Sequence, residues 1–307
     1  MAVAPDLTPT KLSSRFEILR PLAVGGMGKV SVAFDHARDD TCCIKSLPLG
    51  SDPMIVQRFV AEASVLVALN SPHVVPVRAY GVDDEHVWYA MDRMKGSLYA
   101  RRKAEAPVDP LLAARWMVES LAGLEALHRR GIVHRDVKLA NLLFDDAGRI
   151  LVADLGLARH PDGSVPYRTA GHRGLGTPDY AAPELFRDAA NADLRADLFG
   201  VAVCFYELVT AMAPARFVLH PIEPAVLDAV PEAFVDTLKR AGAPRAEHRP
   251  PSARALAEDF CRAADMHAAH TNQPKPGSGW MEAFDAAAPP LGLKEWMSSR
   301  MFRWGFR

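Results

Sequence analysis

His134-Arg-Asp136-Val-Lys138-Leu-Ala-Asn141, followed by Asp154-Leu-Gly156 and later by Ala182-Pro-Glu184, is the part of the chain on which the fold turns. Moving a phosphoryl group requires an acceptor for the proton of the attacking hydroxyl, cations against phosphate oxygens, and oxygen ligands for Mg²⁺. Asp136 supplies the first, Lys138 with Lys45 the second, and Asn141 with Asp154 the third.

Working outward toward the N-terminus, Leu22-Ala-Val-Gly25-Gly26-Met-Gly28-Lys-Val30 sits between two strand-like runs. Glycines allow a hairpin to lie close over a phosphate chain with its N–H groups turned inward, although the same pattern also makes an ordinary glycine-rich hairpin. Lys45 is an isolated cation in an apolar run, where a solvent-facing strand lysine is the simpler alternative. Glu62 stands on the helical stretch that follows and is placed to pair with it.

The segments FEIL, VSVAF, TCCIKSL, VVPVRAY and HVWYAM read as strands, interrupted by one helix from Met54 to Asn70 with Ile55, Phe59, Leu66 and Leu69 at helical spacing. From about Leu98 the pattern turns helical: Leu111 to Arg130, Ala196 to Met212, Pro231 to Arg240 and Ser252 to Ala264, with NLLF and RILVA as short strands. The expected fold class is α+β and bilobal, a small β-rich lobe with one helix and a larger helical lobe. The expected boundaries are a leader at 1–11, lobes at 12–94 and 95–264, a Pro-, Gly- and Ala-rich linker at 265–290, and a basic amphipathic segment at 291–307.

Composition sets the outer limits. The 307 residues carry 36 Lys+Arg against 37 Asp+Glu, 49% are hydrophobic and 24% charged, which excludes a disordered chain or a fibre. At roughly 150 residues per domain the length allows about two folding units. A formal net charge of −1 argues against nucleic acid as a partner. The four cysteines (Cys42, Cys43, Cys204, Cys261) have neither disulfide-framework nor zinc-finger spacing, and a reducing, cytoplasmic location is expected. MAVAPDLTPT lacks the charged and apolar regions of a signal peptide, and no run reaches about 18 apolar residues, so neither secretion nor a membrane span is expected.

Taken together and in order, these motifs resemble the protein-kinase family over roughly residues 12 to 264. The Gly25-Gly-Met-Gly28 loop and the run Gly176-Thr-Pro-Asp-Tyr-Ala-Ala-Pro-Glu184 are most similar to bacterial, eukaryotic-like Ser/Thr kinases. The resemblance implies ATP and Mg²⁺, a protein substrate and a signalling role. It implies that Lys45 contacts the α/β-phosphates and pairs with Glu62, that Asp136 is the catalytic base, that Lys138 neutralises charge on the transferred group, and that Asn141 and Asp154 hold Mg²⁺. Leu22, Gly25, Gly28, Val30, Cys43 and Leu143 would enclose the nucleotide, with Met91 as gatekeeper and Asp92 to Met94 offering hinge backbone groups. His134 would be core, and Leu66, Val77, His134 and Leu155 would form an apolar column linking the lobes. Asp197 would anchor the catalytic loop, and Glu184 would pair with Arg249. Lys138 and Thr177 imply Ser/Thr specificity. A pseudokinase scaffold that signals by binding alone is the alternative.

Several positions depart from the family pattern. Ala23 replaces the first loop glycine, Leu155 the usual Phe, and the chain between Met212 and Val230 is short. Thr169, ahead of Ser164, is the expected phosphosite facing Arg135 and the basic residues Arg159, His160, Arg168, His172 and Arg173. Arg93, Lys95, Arg101, Arg102 and Lys103, with Ala140 before Asn141, either form a border repelling basic peptides or are solvated surface charges. In 291–307, Leu293, Trp296, Met297, Met301 and Trp304 share a helical face, expected to pack on the lobe or to meet a partner protein or membrane surface.

Overall fold

A computed structural model describes residues 12–25, 28–69, 71–155, 177–188, 192–276 and 279–286 of the chain. They divide into two compact units, one of residues 12–69 and 74–94 and the other of residues 71–73 and 95–286. The architecture is α+β, as expected.

In the first unit a single turn, α1 (Leu12–Arg15), leads into β1 (Phe16–Gly25), β2 (Gly28–Asp35) and β3 (Asp40–Pro48). Helix α2 (Pro53–Ala68) then precedes β4 (Val77–Val82) and β5 (His86–Asp92). The strands form one antiparallel sheet in the order β1-β2-β3-β5-β4. Side chains alternate across a strand, so Cys42 and Ile44 join Phe16, Ala33, Ala79, Trp88 and Ala90 in one buried cluster. Cys43 and Lys45, one residue out of phase, belong to the other face. Helix α2 begins where the Asp52 carboxylate accepts the Met54 N–H at 2.7 Å and Pro53 fills the first turn. Its buried residues Phe59, Glu62 and Leu66 fall at three- and four-residue spacing, on the stripe that packs against β4 and β5.

The second unit opens with β6 (Gly96–Ser97), α3 (Leu98–Glu105) and α4 (Pro110–His128), the last started by Asp109 and Pro110 in the same way as α2. A 3-10 turn at Leu139–Asn141 precedes β7 (Leu142–Phe144) and β8 (Ile150–Val152), which form a small sheet in the order β6-β7-β8. The helices α5 (Pro183–Asp188), α6 (Arg195–Thr210), α7 (Pro214–Leu219), α8 (Pro224–Leu227), α9 (Glu232–Ala241), α10 (Ala253–His270) and α11 (Gly279–Ala286) complete it. Residues 196–209 of α6 are buried without interruption, so this helix is hydrophobic all round and runs through the core. Phe205 meets Phe234 and Phe260 at ring-centroid distances of 4.8 and 5.1 Å, joining α6, α9 and α10.

The linker expected at 265–290 is corrected in part. Helix α10 continues to His270 because Ala263, Ala264 and Ala268 extend its buried face, and alanine is the strongest helix former. Helix α11 then packs on α4 and α10. Its Phe284 is buried, with the Arg254 guanidinium 5.9 Å from the ring centre and paired with Asp285. Among the described residues, the Pro content that suggested a linker falls at Pro274 and Pro276, in the connection between these helices. The segment 291–307 and the leader lie outside the described residues, and no helix among those described is long and apolar enough to cross a membrane.

Candidate active site

In the first unit, Lys45 on β3 donates from Nζ to Glu62 Oε1 at 2.9 Å and to Oε2 at 3.0 Å. Both residues are buried, so the pair is charge-assisted and shielded from water. Strand alternation turns Lys45 toward α2, and helical periodicity places Glu62 on the inward stripe of that helix. The β1–β2 hairpin closes on Gly25 opposite Gly28. Gly28 has φ +113°, and a Cβ there would stand 2.5 Å from the Ser46 carbonyl oxygen, so only glycine fits. Leu22 on β1 is exposed, Val30, Met91 and Met94 are half-buried, and Cys43 is buried. Asp92 donates its N–H to the Pro76 carbonyl at 3.2 Å.

In the second unit, three side chains converge on Asp136. Lys138 Nζ donates to Asp136 Oδ2 at 2.7 Å and to Thr177 Oγ1 at 2.7 Å. The Thr177 N–H and hydroxyl donate to Asp136 Oδ1 at 3.0 and 3.2 Å. Asn141 Nδ2 donates to the Asp136 carbonyl at 2.8 Å and to Oδ2 at 3.1 Å. This orients the Asn141 amide with its oxygen available to a hard cation. Beside Asp136 lies a small recess lined by Arg135, Thr177, Tyr180, Leu185, Ala196 and Gly200 among others.

Asp197 of α6 holds the turn that carries Asp136. Its carboxylate accepts the N–H groups of His134 at 2.9 Å and Arg135 at 2.7 Å, and His128 Nε2 lies 2.7 Å away. Burial alone raises the Asp197 pKa, but the bond and charge of His128, with His134 and the Arg135 N–H, outweigh it and hold the carboxyl below its usual value. Arg135 adopts φ +67° and Asp154 φ +61°, a left-handed region that costs energy outside glycine and is found where surrounding contacts enforce it. His134 is fully buried. Its Nδ1 accepts the Asp136 N–H at 3.2 Å, and its Nε2 lies 3.0 Å from the Ala153 carbonyl. Ala153 in turn donates its N–H to the Asn141 carbonyl at 2.9 Å, which ties the residue before Asp154 to both other motifs.

Other sequence expectations meet the structure unevenly. Arg249 makes a two-pronged pair with Glu184 at 2.6 and 2.8 Å. Leu66 and Val77 are buried in the first unit, His134 and Leu155 in the second. Leu143 stands in β7. Of the five basic residues of the border expected near residues 93–103, three have acidic partners. Lys95 pairs with Asp146, Arg101 with Glu105, and Arg102 with Glu207, because acidic side chains from nearby turns and helices reach them. Gly156, Ser164, Thr169 and the basic residues of the loop lie outside the described residues.

Three features escaped the sequence reading. Tyr89 donates its O–H to Glu62 Oε1 at 2.8 Å. Arg78 of β4 is buried and bonds to Asp40 and Asp92, with Asp35 at 3.7 Å. Tyr180 bonds to the buried Glu207, whose pKa burial raises despite the Tyr180 and Arg102 bonds. For Arg78 the one available signal was a charged residue inside an apolar strand.

Residues 16–264 match the protein kinase domain family. Relatives include the serine/threonine-protein kinase PkaB of Streptomyces coelicolor, 34% identical over 215 residues, which cover 66% of this chain and 50% of that protein. PknL of Mycobacterium tuberculosis is 32% identical over 266 residues, covering 81% and 65%, and PrkC of Bacillus subtilis is 30% identical over 207 residues, covering 66% and 32%. The aligned region thus spans between about a third and two thirds of the length of these relatives.

Proposed function

The chain belongs to the protein kinase family, and on that premise we propose that it transfers the γ-phosphoryl group of Mg·ATP to serine or threonine hydroxyls of proteins, in a signalling role within the cytoplasm. The observation that carries this reading is the bonding around Asp136, which fixes a carboxylate between Lys138, Asn141 and Thr177. In this role Asp136 orients the attacking hydroxyl and accepts its proton, and Lys138 places positive charge where charge accumulates on the transferred group. Lys45, held by Glu62, binds the α/β-phosphates. Asn141 and Asp154 offer oxygen ligands suited to Mg²⁺, which when bound neutralises phosphate charge. Leu22, Gly25, Gly28, Val30, Cys43, Met91, Met94 and Leu143 enclose the nucleotide, with Asp92 to Met94 offering hinge backbone groups. Thr177, bonded to both base and lysine, supports the serine/threonine preference.

Incubation with labelled Mg·ATP and a generic protein substrate tests the proposal. Asp136→Asn and Asp154→Asn should each lower transfer by about 10²-fold or more, while melting temperatures stay close to wild type. Transfer by the Asp154 variant at the wild-type rate would refute the assignment. A chain that binds nucleotide and never transfers would be a scaffold instead.

A further inference from the structure

Tyr89 lies directly across from Lys45 in the β3–β5 ladder, and its hydroxyl reaches the same carboxylate that the lysine grips. Lys45 occupies both Glu62 oxygens, and the phenol adds a third donor to Oε1 at 2.8 Å. All three residues are buried, in a setting where an unsatisfied carboxylate oxygen is costly and each added donor fixes orientation. The Tyr89 ring is itself held by Phe59 of α2, with ring centres 5.2 Å apart. Sheet and helix are therefore joined twice through one residue, by packing at Phe59 and by hydrogen bonding at Glu62.

We propose that Tyr89 is a positioning residue of the phosphate-binding site, acting through Glu62 to fix the direction of the Lys45 ammonium. A carboxylate held only by the flexible side chain of a lysine can swing with that side chain. A carboxylate also held from the neighbouring strand cannot. The phenol further draws electron density from Oε1, which weakens the hold of Glu62 on the lysine charge and leaves more of that charge for a phosphate oxygen. The consequence is a Lys45–Glu62 pair set by the fold of the first unit.

This inference rests on the kinase reading, and the test separates the two. Tyr89→Phe keeps the ring and its Phe59 contact and removes only the hydroxyl. In the full chain it should lower kcat/KM for ATP about tenfold, yet less than twofold in a Glu62→Gln background, because a group acting through Glu62 has nothing left to act on. Equal losses in both backgrounds would mean an independent structural role, and no loss in either would remove the role altogether. Each of these results overturns the proposal. If Glu62→Gln or the wild-type chain turns over too slowly to measure, the same cycle is read from the dissociation constant of a fluorescent ATP analogue. There a Tyr89→Phe loss confined to the Glu62 background supports the coupling, and an equal loss or no loss refutes it. Absence of transfer by the wild-type chain would refute the kinase reading without deciding the coupling.

Discussion

Adjacent residues on β3 meet different fates because a strand alternates. Cys42 enters the apolar cluster beneath the sheet, where burial pushes its thiol up to about 12, while Cys43 lies on the face shared with Lys45 and is also raised by burial. Neighbours pointing to opposite faces do not form a strain-free disulfide, and all four cysteines are free. At pH 8 a thiol of pKa about 12 is ionised to only about 10⁻⁴, so the nucleophilic form of Cys42 is scarce. Iodoacetamide applied to the native chain at pH 8 should leave Cys42 unmodified by mass spectrometry, whereas the chain unfolded in urea should label at all four positions. Rapid native labelling of Cys42 would contradict the burial described. The Lys45–Glu62 pair is legible from sequence, since Lys45 stands in an apolar strand, Glu62 on the helix that follows, and the family resemblance joins them. Tyr89 was not legible in that way. Its aromatic body suits any strand, and only the position of the helix shows that its hydroxyl has a carboxylate to meet.

Helix α4 shows how packing overrides local preference. Its Gly123 is a poor helix former, yet a Cβ at that position would stand 2.2 Å from the His73 carbonyl oxygen and 2.8 Å from Val152 Cγ2. Alanine would gain about 1 kcal/mol of helix propensity. Relief of the clash requires backbone movement against a packed sheet, where overpacking costs about 1–3 kcal/mol or more. The clash wins, because the nearest atom is backbone, and Gly123→Ala should lower the melting temperature by about 3–6 °C. An unchanged or raised melting temperature would show that α4 can shift freely. Helix α11 carries the opposite lesson. Composition around it suggests a linker, but Phe284 and Arg254 give it a buried side and an ion pair that only become visible once α4 and α10 lie beside it.

Across the whole molecule, buried acids set the response to pH. Burial raises Asp35 and Asp197, but Arg15 at the first and His128 at the second outweigh it, so both end below their usual value. A depressed carboxylate contributes its stability fully above the unfolded pKa, about 3.9, and loses it as pH falls through the folded value. Glu207 and Asp259, raised by burial against the opposing effects of Tyr180, Arg102, Arg240 and Arg262, have the opposite sign. Their contribution is full below the unfolded value and is lost as pH rises through the folded one. Stability from urea unfolding should therefore peak in mildly acidic solution and fall steeply below about pH 4. Asp35→Asn, less stable at pH 7, should fall less between pH 4 and pH 2, and an equal fall would remove Asp35 from the account. The sequence by itself determined the α+β class and the family, because both reside in local order: alternation, helical spacing, and motifs a few residues long. It also indicated the Lys45–Glu62 and Glu184–Arg249 pairs, through the resemblance those motifs carry. Only the tertiary structure decided that Arg78 gathers Asp35, Asp40 and Asp92, that Tyr89 shares Glu62 with Lys45, and that Lys95 and Arg102 meet acids distant in sequence. A buried charge finds its partner through space, and no spacing along the chain encodes which carboxylate will be brought within reach.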